Sequence, residues 1–351
     1  KKVKKWYNIN MKTFFDESDK LQRLSELGDS LERLKAAVDW EMFRPLLNGI
    51  FVSNDNRPGG RQRYDRVLMF KILILQKLYS LADDKLEYLI NDRLSFQRFL
   101  GLTLGDIVPD SKTIWKYREE LVNSKQAKKL FKLFNTVLEA TGTITYSGSI
   151  VDATIVSRPR QNRTKEEDEQ IKKGEIPESI KSNIHKMRQT DLNARMTKKH
   201  NKSYCGYKNH IKADVESKII TEFAVTSAEV HDSRLITELT DEKDNVIYAD
   251  SAYMSKKIAR ELHKKKQGLK LKIIKRGTRG HILTERQKRA NAKKAKIRCR
   301  VEHIFGHMSK AMGGKFVRCV GLLRTVCEIT LKNLAYNMSR TAYLKHKPLP
   351  T

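Results

Sequence analysis

The chain has 351 residues, with 71 Lys+Arg against 41 Asp+Glu and a formal charge of +30. Its length allows about two domains of roughly 150 residues, and an apolar share of 39% is enough for a packed core and excludes a wholly disordered chain. So positive a charge calls for a polyanionic partner, nucleic acid ahead of an anionic membrane surface, and no run of about 18 uncharged apolar residues is present to span a membrane.

Lys1 to Asn10 is basic but is followed by no apolar segment, so it does not read as a signal peptide. Residues 1–140 read as a helical domain. Asp29 with Glu32 three residues on is a capping-box-like start, and Leu31, Leu34, Ala37 and Val38 follow at helical spacing. Arg57-Pro58-Gly59-Gly60-Arg61 is a basic, breaker-rich loop. Helices are predicted over Val67–Ser80 (a core helix, interrupted by Lys71, Gln76 and Lys77), over Asp83–Leu100, and from Pro109-Asp110-Ser111 through Leu121. Gly101 and Gly105 mark the turn between the last two, and the final helix carries Lys112, Lys116 and Arg118. This pattern is compatible with a helix-turn-helix whose second helix enters a groove of DNA, and equally with a helical bundle that has a solvated basic face.

Residues 141–345 change character. Ser149 to Val156 is β-branched and apolar around one acid, Asp152, as in a buried strand. Tyr204–Val215 and Lys218–Thr226 read as two strands joined at Glu216-Ser217. Asn245 to Asp250 is a short buried strand ending on an acid, and Leu269–Ile274 is a fifth strand. Between the first two strands, residues 158–202 are polar and charged and read as an extended, flexible basic insertion. From Thr284 the pattern is helical again. Ile297, Val301, Ile304, Phe305, Met308 and Met312 form one apolar stripe, and Leu323, Val326, Cys327, Leu331, Leu334 and Met338 form another. Four scattered cysteines (Cys205, Cys299, Cys319, Cys327), none in a Cys-x-x-Cys pair, argue against a disulfide framework or a structural zinc and for a cytoplasmic setting.

The charge is concentrated. Lys256 to Arg318 holds 22 Lys+Arg against three acids, a stripe suited to a phosphate backbone. Three acids stand out: Asp152 inside a strand, Asp250 ending one, and Glu302 on the most basic helix. Taken singly, a strand-end Asp is most often a cap, and Glu302 has Arg298 at the offset of an i,i+4 ion pair. Converging, three carboxylates would hold hard divalent cations that leave room for phosphate oxygens, and such ions serve in-line phosphoryl displacement.

Four segments resemble a DDE transposase of a bacterial insertion sequence, most nearly the insertion-sequence-five family. They are Asp83–Leu102 with Val108–Thr113, Val151–Thr154, Val230–Ser233 with Val246–Tyr253, and Arg298–Gly306. The resemblance implies a ribonuclease-H-like fold, a mixed five-stranded sheet flanked by helices, preceded by the all-α domain. It makes Asp152, Asp250 and Glu302 the catalytic, metal-binding triad, served by two Mg²⁺ ions with Mn²⁺ as a substitute. Arg298 and Arg300 become candidate contacts to the scissile phosphate or supports for Glu302. Related transposases carry a Tyr-Arg-Glu-Lys signature; here Arg298 and Glu302 match, but Ala295 and Ser309 stand at the Tyr and Lys positions, with Lys310 one residue on. His231 and Asp232 are supporting candidates, or a helix cap formed by Asp232 or Ser233. His303 and His307 share helical spacing but lack further ligands for a metal.

The resemblance further implies metal-dependent DNA cleavage and strand transfer, with double-stranded DNA as partner (element ends and target). A homodimer or higher assembly on DNA follows, nucleoid-associated and not membrane-bound, with Lys112, Lys116 and Arg118 reading the terminal inverted repeats. A non-transposing nuclease of the same fold would use the same acids without joining ends. A silent DNA-binding regulator would have lost at least one acid, and all three are present.

Overall fold

The computed structural model describes residues 15–51, 63–159, 161, 163–199, 201–278 and 282–346; the breaker-rich loop at Arg57–Arg61 lies outside them. Eight helices open the chain: α1 (Phe15–Glu26), α2 (Ser30–Ala37), α3 (Arg44–Ile50), α4 (Arg66–Tyr79), α5 (Asp83–Asp92), α6 (Leu94–Leu100), α7 (Ser111–Ser124) and α8 (Ala127–Ala140). Side-chain caps set several of their starts. Asp29 accepts from the Leu31 amide, Asp65 from Leu68 and Asp110 from Thr113. The single helix expected over Asp83–Leu100 is two. Arg93 is extended (φ −109°, ψ 115°) and separates α5 from α6, after Asn91 and Asp92, residue types that compete with the helix backbone.

The rest of the chain is α/β: β1 (Ser149–Ser157), α9 (Lys165–Lys173), α10 (Glu178–Lys181), α11 (Ile184–Gln189), β2 (Arg195–Lys199), β3 (Lys202–Asp214), β4 (Ile220–Ser227), α12 (Ile236–Leu239), β5 (Val246–Ala249), α13 (Lys256–Lys265), β6 (Lys270–Ile273), α14 (Glu285–Arg298), α15 (Arg300–Lys310) and α16 (Leu322–His346). The sheet is mixed. β1 and β4 pair antiparallel with β3, β5 runs parallel to β1, and β6 parallel to β5. This is the ribonuclease-H-like arrangement with one strand more than expected, because β2 makes a hairpin with the start of β3.

That sixth strand comes from the segment read as an extended insertion, which also holds α9 to α11. Little apolar surface orders it. Thr164 and Glu167 form a capping box at α9. Asp191, wholly buried, pairs with Arg158 at 3.1 Å and accepts from the Tyr207 hydroxyl at 2.8 Å. Composition alone understates order of this kind, because the ion pairs link residues distant in sequence.

Strand alternation divides the apolar residues between two cores. Ile150 and Tyr248 join the large core under α4, α8, α15 and α16, whereas Val151, Ile247 and Ala249 pack with Leu235, Ile236, Tyr253 and Leu262 on the other face. The large core is continuous from the N-terminal helices to the sheet. α16 spans the junction, lying against α2, α4, α7, α8 and β4. The four cysteines are free thiols.

Candidate active site

The two strand-associated acids meet by register. β1 and β5 pair Ser149 with Ile247 and Ile150 with Tyr248. Continued by two residues, that register sets Asp152 beside Asp250, on strands that neighbour at about 4.8 Å. Both acids fall on the face of Ile150 and Tyr248, toward α15. Asp250 then turns the chain, its carboxylate accepting from the Ser251 amide at 2.6 Å to open a 3₁₀ turn over Ser251–Tyr253. Asp152 accepts from the Ala153 amide at 2.8 Å.

Arg298, the last residue of α14, joins them. Its Nη2 lies 2.9 Å from Asp152 Oδ2 and 3.8 Å from Asp250 Oδ2. Burial pushes the Asp152 carboxyl up; the Arg298 charge and the Ala153 amide oppose this, and the Asp250 charge adds to it. Two further groups crowd the acids without satisfying their hydrogen bonds. The Tyr253 hydroxyl is buried and unpartnered, and burial with the negative charge of Asp152 and Asp232 drives its pKa far up. Arg298 Nε is also buried and unpartnered.

Glu302 stands apart. The apolar stripe read as one helix is broken at Cys299, with Ile297 on α14 and the remainder on or after α15. Glu302 falls in the first turn of α15, exposed, while Val301, Ile304, Phe305 and Met308 are buried. Arg298 pairs with the aspartates, not with Glu302, and Arg300 donates to the Val215 carbonyl at 2.8 Å. Among the described residues no three His, Cys, Asp or Glu side chains gather as a metal cluster. Asp152 and Asp250 nevertheless suit a hard divalent cation. They are adjacent oxygen donors, Asp152 half-buried near the unsatisfied Tyr253 hydroxyl, and Arg298 supplies the positive charge they require.

His231 and Asp232 lie nearby in different roles. The cap is His231, whose Nδ1 accepts from the Ser233 amide at 3.3 Å. Asp232 forms an ion pair with Lys208 at 2.8 Å. His210 is wholly buried against Thr226; burial takes its pKa down to about 4, so it is neutral near pH 7 and leaves the Asp232 charge to Lys208. Sequence reasoning passes over Tyr253 and Lys315. Tyr253 is the last residue of the motif that contains Asp250. Lys315 reaches the neighbourhood of Asp152 through the bridge between Ser157 and Phe316, with its ammonium 4.8 Å from the Phe305 ring; burial and Lys199 lower its pKa, and Asp152 opposes this.

On the helical domain, Lys112 and Lys116 are exposed on α7, flanking Trp115, which is 51% exposed. Arg118 is committed to the fold, donating to both Asp83 oxygens at 2.6 and 2.7 Å and to Gln76 at 3.1 Å. No helix among the described residues is long and apolar enough to cross a membrane.

Residues 143–338 match the family model described as "Transposase DDE domain", and residues 19–120 the one described as "Transposase domain (DUF772)". Among solved structures, the chain is similar to a piggyBac transposase synaptic complex with hairpin DNA, at 12% identity and a TM-score of 0.43, over 94% of this chain and 79% of that one. With more than half of its length inside the first of these models, the chain belongs to the DDE transposases, DNA-transposing enzymes of the polynucleotidyl transferase type that generally use divalent metal ions.

Proposed function

We propose that the Asp152–Asp250 pair is the centre at which this transposase cuts the ends of its element and joins them to target DNA. The observation that carries the reading is the register of β1 against β5, which sets two carboxylates side by side under one guanidinium. Asp152 and Asp250 would hold Mg²⁺ (or Mn²⁺ in its place), with Glu302, four residues beyond Arg298, completing the donor set. Bound there, the ion supplies charge neutralisation and activation of the attacking oxygen for an in-line displacement at phosphorus.

The chain's own residues have distinct tasks. Arg298 neutralises the acids in the absence of metal and turns to a DNA phosphate when its place between them is taken. Lys315 adds positive charge beside Asp152. Lys112 and Lys116 on α7 contact the phosphates of the terminal inverted repeats, with Trp115 between them. Two ends must be held together, so the working form is a homodimer or higher assembly on DNA, nucleoid-associated in the cytoplasm.

Asp152→Asn and Asp250→Asn should each lower Mg²⁺-dependent end cleavage by at least about 10²–10³-fold, with end binding in gel shift unchanged. Cleavage at the wild-type rate in either variant would overturn the assignment. Glu302→Gln tests the third ligand in the same assay. Products joined to target DNA distinguish a transposase centre from that of a nuclease.

A further inference from the structure

A cavity of about 670 Å³ lies between α2, the C-terminal end of α4, α15 and the last turns of α16. Its lining mixes basic, aromatic and aliphatic side chains and includes no Asp or Glu. Another cavity, of about 410 Å³ beside α5 and α7, shows the contrast. There three of the five lining cations are paired, Lys77 with Glu328, Arg118 with Asp83 and Arg324 with Glu119. In the larger cavity Arg33 and Arg340 have no carboxylate partner among the described residues. Arg33 donates to the Gly28 carbonyl at 3.2 Å and Arg340 Nε to the Ser217 carbonyl at 2.8 Å, which leaves guanidinium N–H groups uncommitted on both. His303 and His307 add ring nitrogens from α15, and burial with the Arg340 charge lowers the pKa of His307. Tyr79 is 39% and Tyr343 56% exposed, so both rings offer a face; Arg340 lies 4.9 Å from the Tyr343 ring and braces it.

Unpaired guanidinium groups suit an oxyanion, and open tyrosine rings suit a flat heterocycle. A cavity of this volume takes a ligand of nucleotide size. We propose that the cavity binds one nucleotide unit, its phosphate on Arg33, Arg340 and the histidines and its base on Tyr79 or Tyr343. The proposal rests on the reading of the protein as a DNA-cutting transposase, because α15, which carries His303 and His307 to the cavity, begins two residues after Arg298.

Titration calorimetry of the full chain in chelator tests it, with deoxyadenosine 5′-monophosphate, a 5′-phosphorylated single-stranded tetranucleotide and inorganic phosphate as probes. A nucleotide probe should bind at least about tenfold more tightly than phosphate. Arg33→Gln combined with Arg340→Gln should weaken it about tenfold or more. Tyr343→Ala, at an exposed position that leaves the fold intact, should cost about fivefold or more. Binding of the tetranucleotide alone makes a DNA strand the source of the unit, and equal binding of the mononucleotide makes it the free nucleotide. Equal affinity for all three probes, or affinity unchanged in both variants, overturns the proposal. A chain that cuts element ends but binds no nucleotide refutes the cavity alone; one that binds nucleotide but leaves DNA uncut refutes the proposed reaction alone.

Discussion

Asp152 and Asp250 carry like charges on neighbouring strands, and bringing them together is unfavourable unless a cation joins them. Arg298 is that cation here. Arg298→Gln should destabilise the metal-free protein by on the order of 2 kcal/mol, less than for a fully buried pair because Asp250 is 42% exposed. Mg²⁺ should then raise the melting temperature of the variant more than that of the wild type, because the ion takes up a charge deficit that the wild type lacks. Equal shifts would separate Arg298 from the metal site. Asp83 gives a different test, remote from the chemistry. Burial raises its pKa, but the Arg118 charge and the hydrogen bonds from Arg118 and Gln76 outweigh burial, and the net pKa is lowered. A carboxyl whose pKa is depressed on folding stabilises above its unfolded value, and the contribution disappears as pH falls through the folded one. Asp83→Asn should therefore melt below the wild type at pH 7, and the difference should close below about pH 4.

At the scale of elements, α7 is the test of DNA recognition. Lys112→Gln with Lys116→Gln should reduce the slope of log K against log salt by about 2, since two phosphates are no longer neutralised and each would have released about one counter-ion. Arg118→Gln should instead show itself as reduced stability. The elements differ in how far the sequence discloses them. β1, β3, β4 and β5 are legible because largely buried strands are runs of β-branched and apolar residues, and β6 because Lys270 and Lys272 alternate with Leu271 and Ile273. β2 and α9 to α11 are not, because Arg158, Asp191 and Tyr207 hold that segment from positions far apart in the chain. Periodicity carries the stripe of Ile297 to Met312 straight through Cys299, because a break between two helices that present apolar residues to one core leaves the pattern nearly intact. For the same reason the i,i+4 pairing of Arg298 with Glu302 is a reasonable expectation, and Asp152, 146 residues away, is invisible as its partner. Asp152 and Asp250 themselves are legible as acids in apolar strands, an unfavourable placement that needs a cause.

At the scale of the whole molecule, the division at about residue 140 is one of sequence character and proposed task, while the core runs across it. Far-UV circular dichroism, which reports all elements, and fluorescence of the buried Trp40 in the helical layer should therefore trace one coincident unfolding transition. Two separated transitions would show that the halves fold independently. The +30 charge belongs to the same scale, since it makes association with DNA fast and strongly dependent on salt.

The long helix α16 gives this shared core a temporal meaning. It is translated after every element it covers, and it lies against α2 and α4 from the start of the chain as well as β4 from its middle. These contacts join residues about 300 positions apart, such as the Lys345 ammonium on the Ala37 carbonyl, and long-range closure of this kind slows folding. A nascent chain that lacks α16 leaves the undersides of both layers uncovered on the ribosome. Competence to bind and cut DNA should then arrive together, once α16 has emerged, rather than in stages as each earlier part emerges.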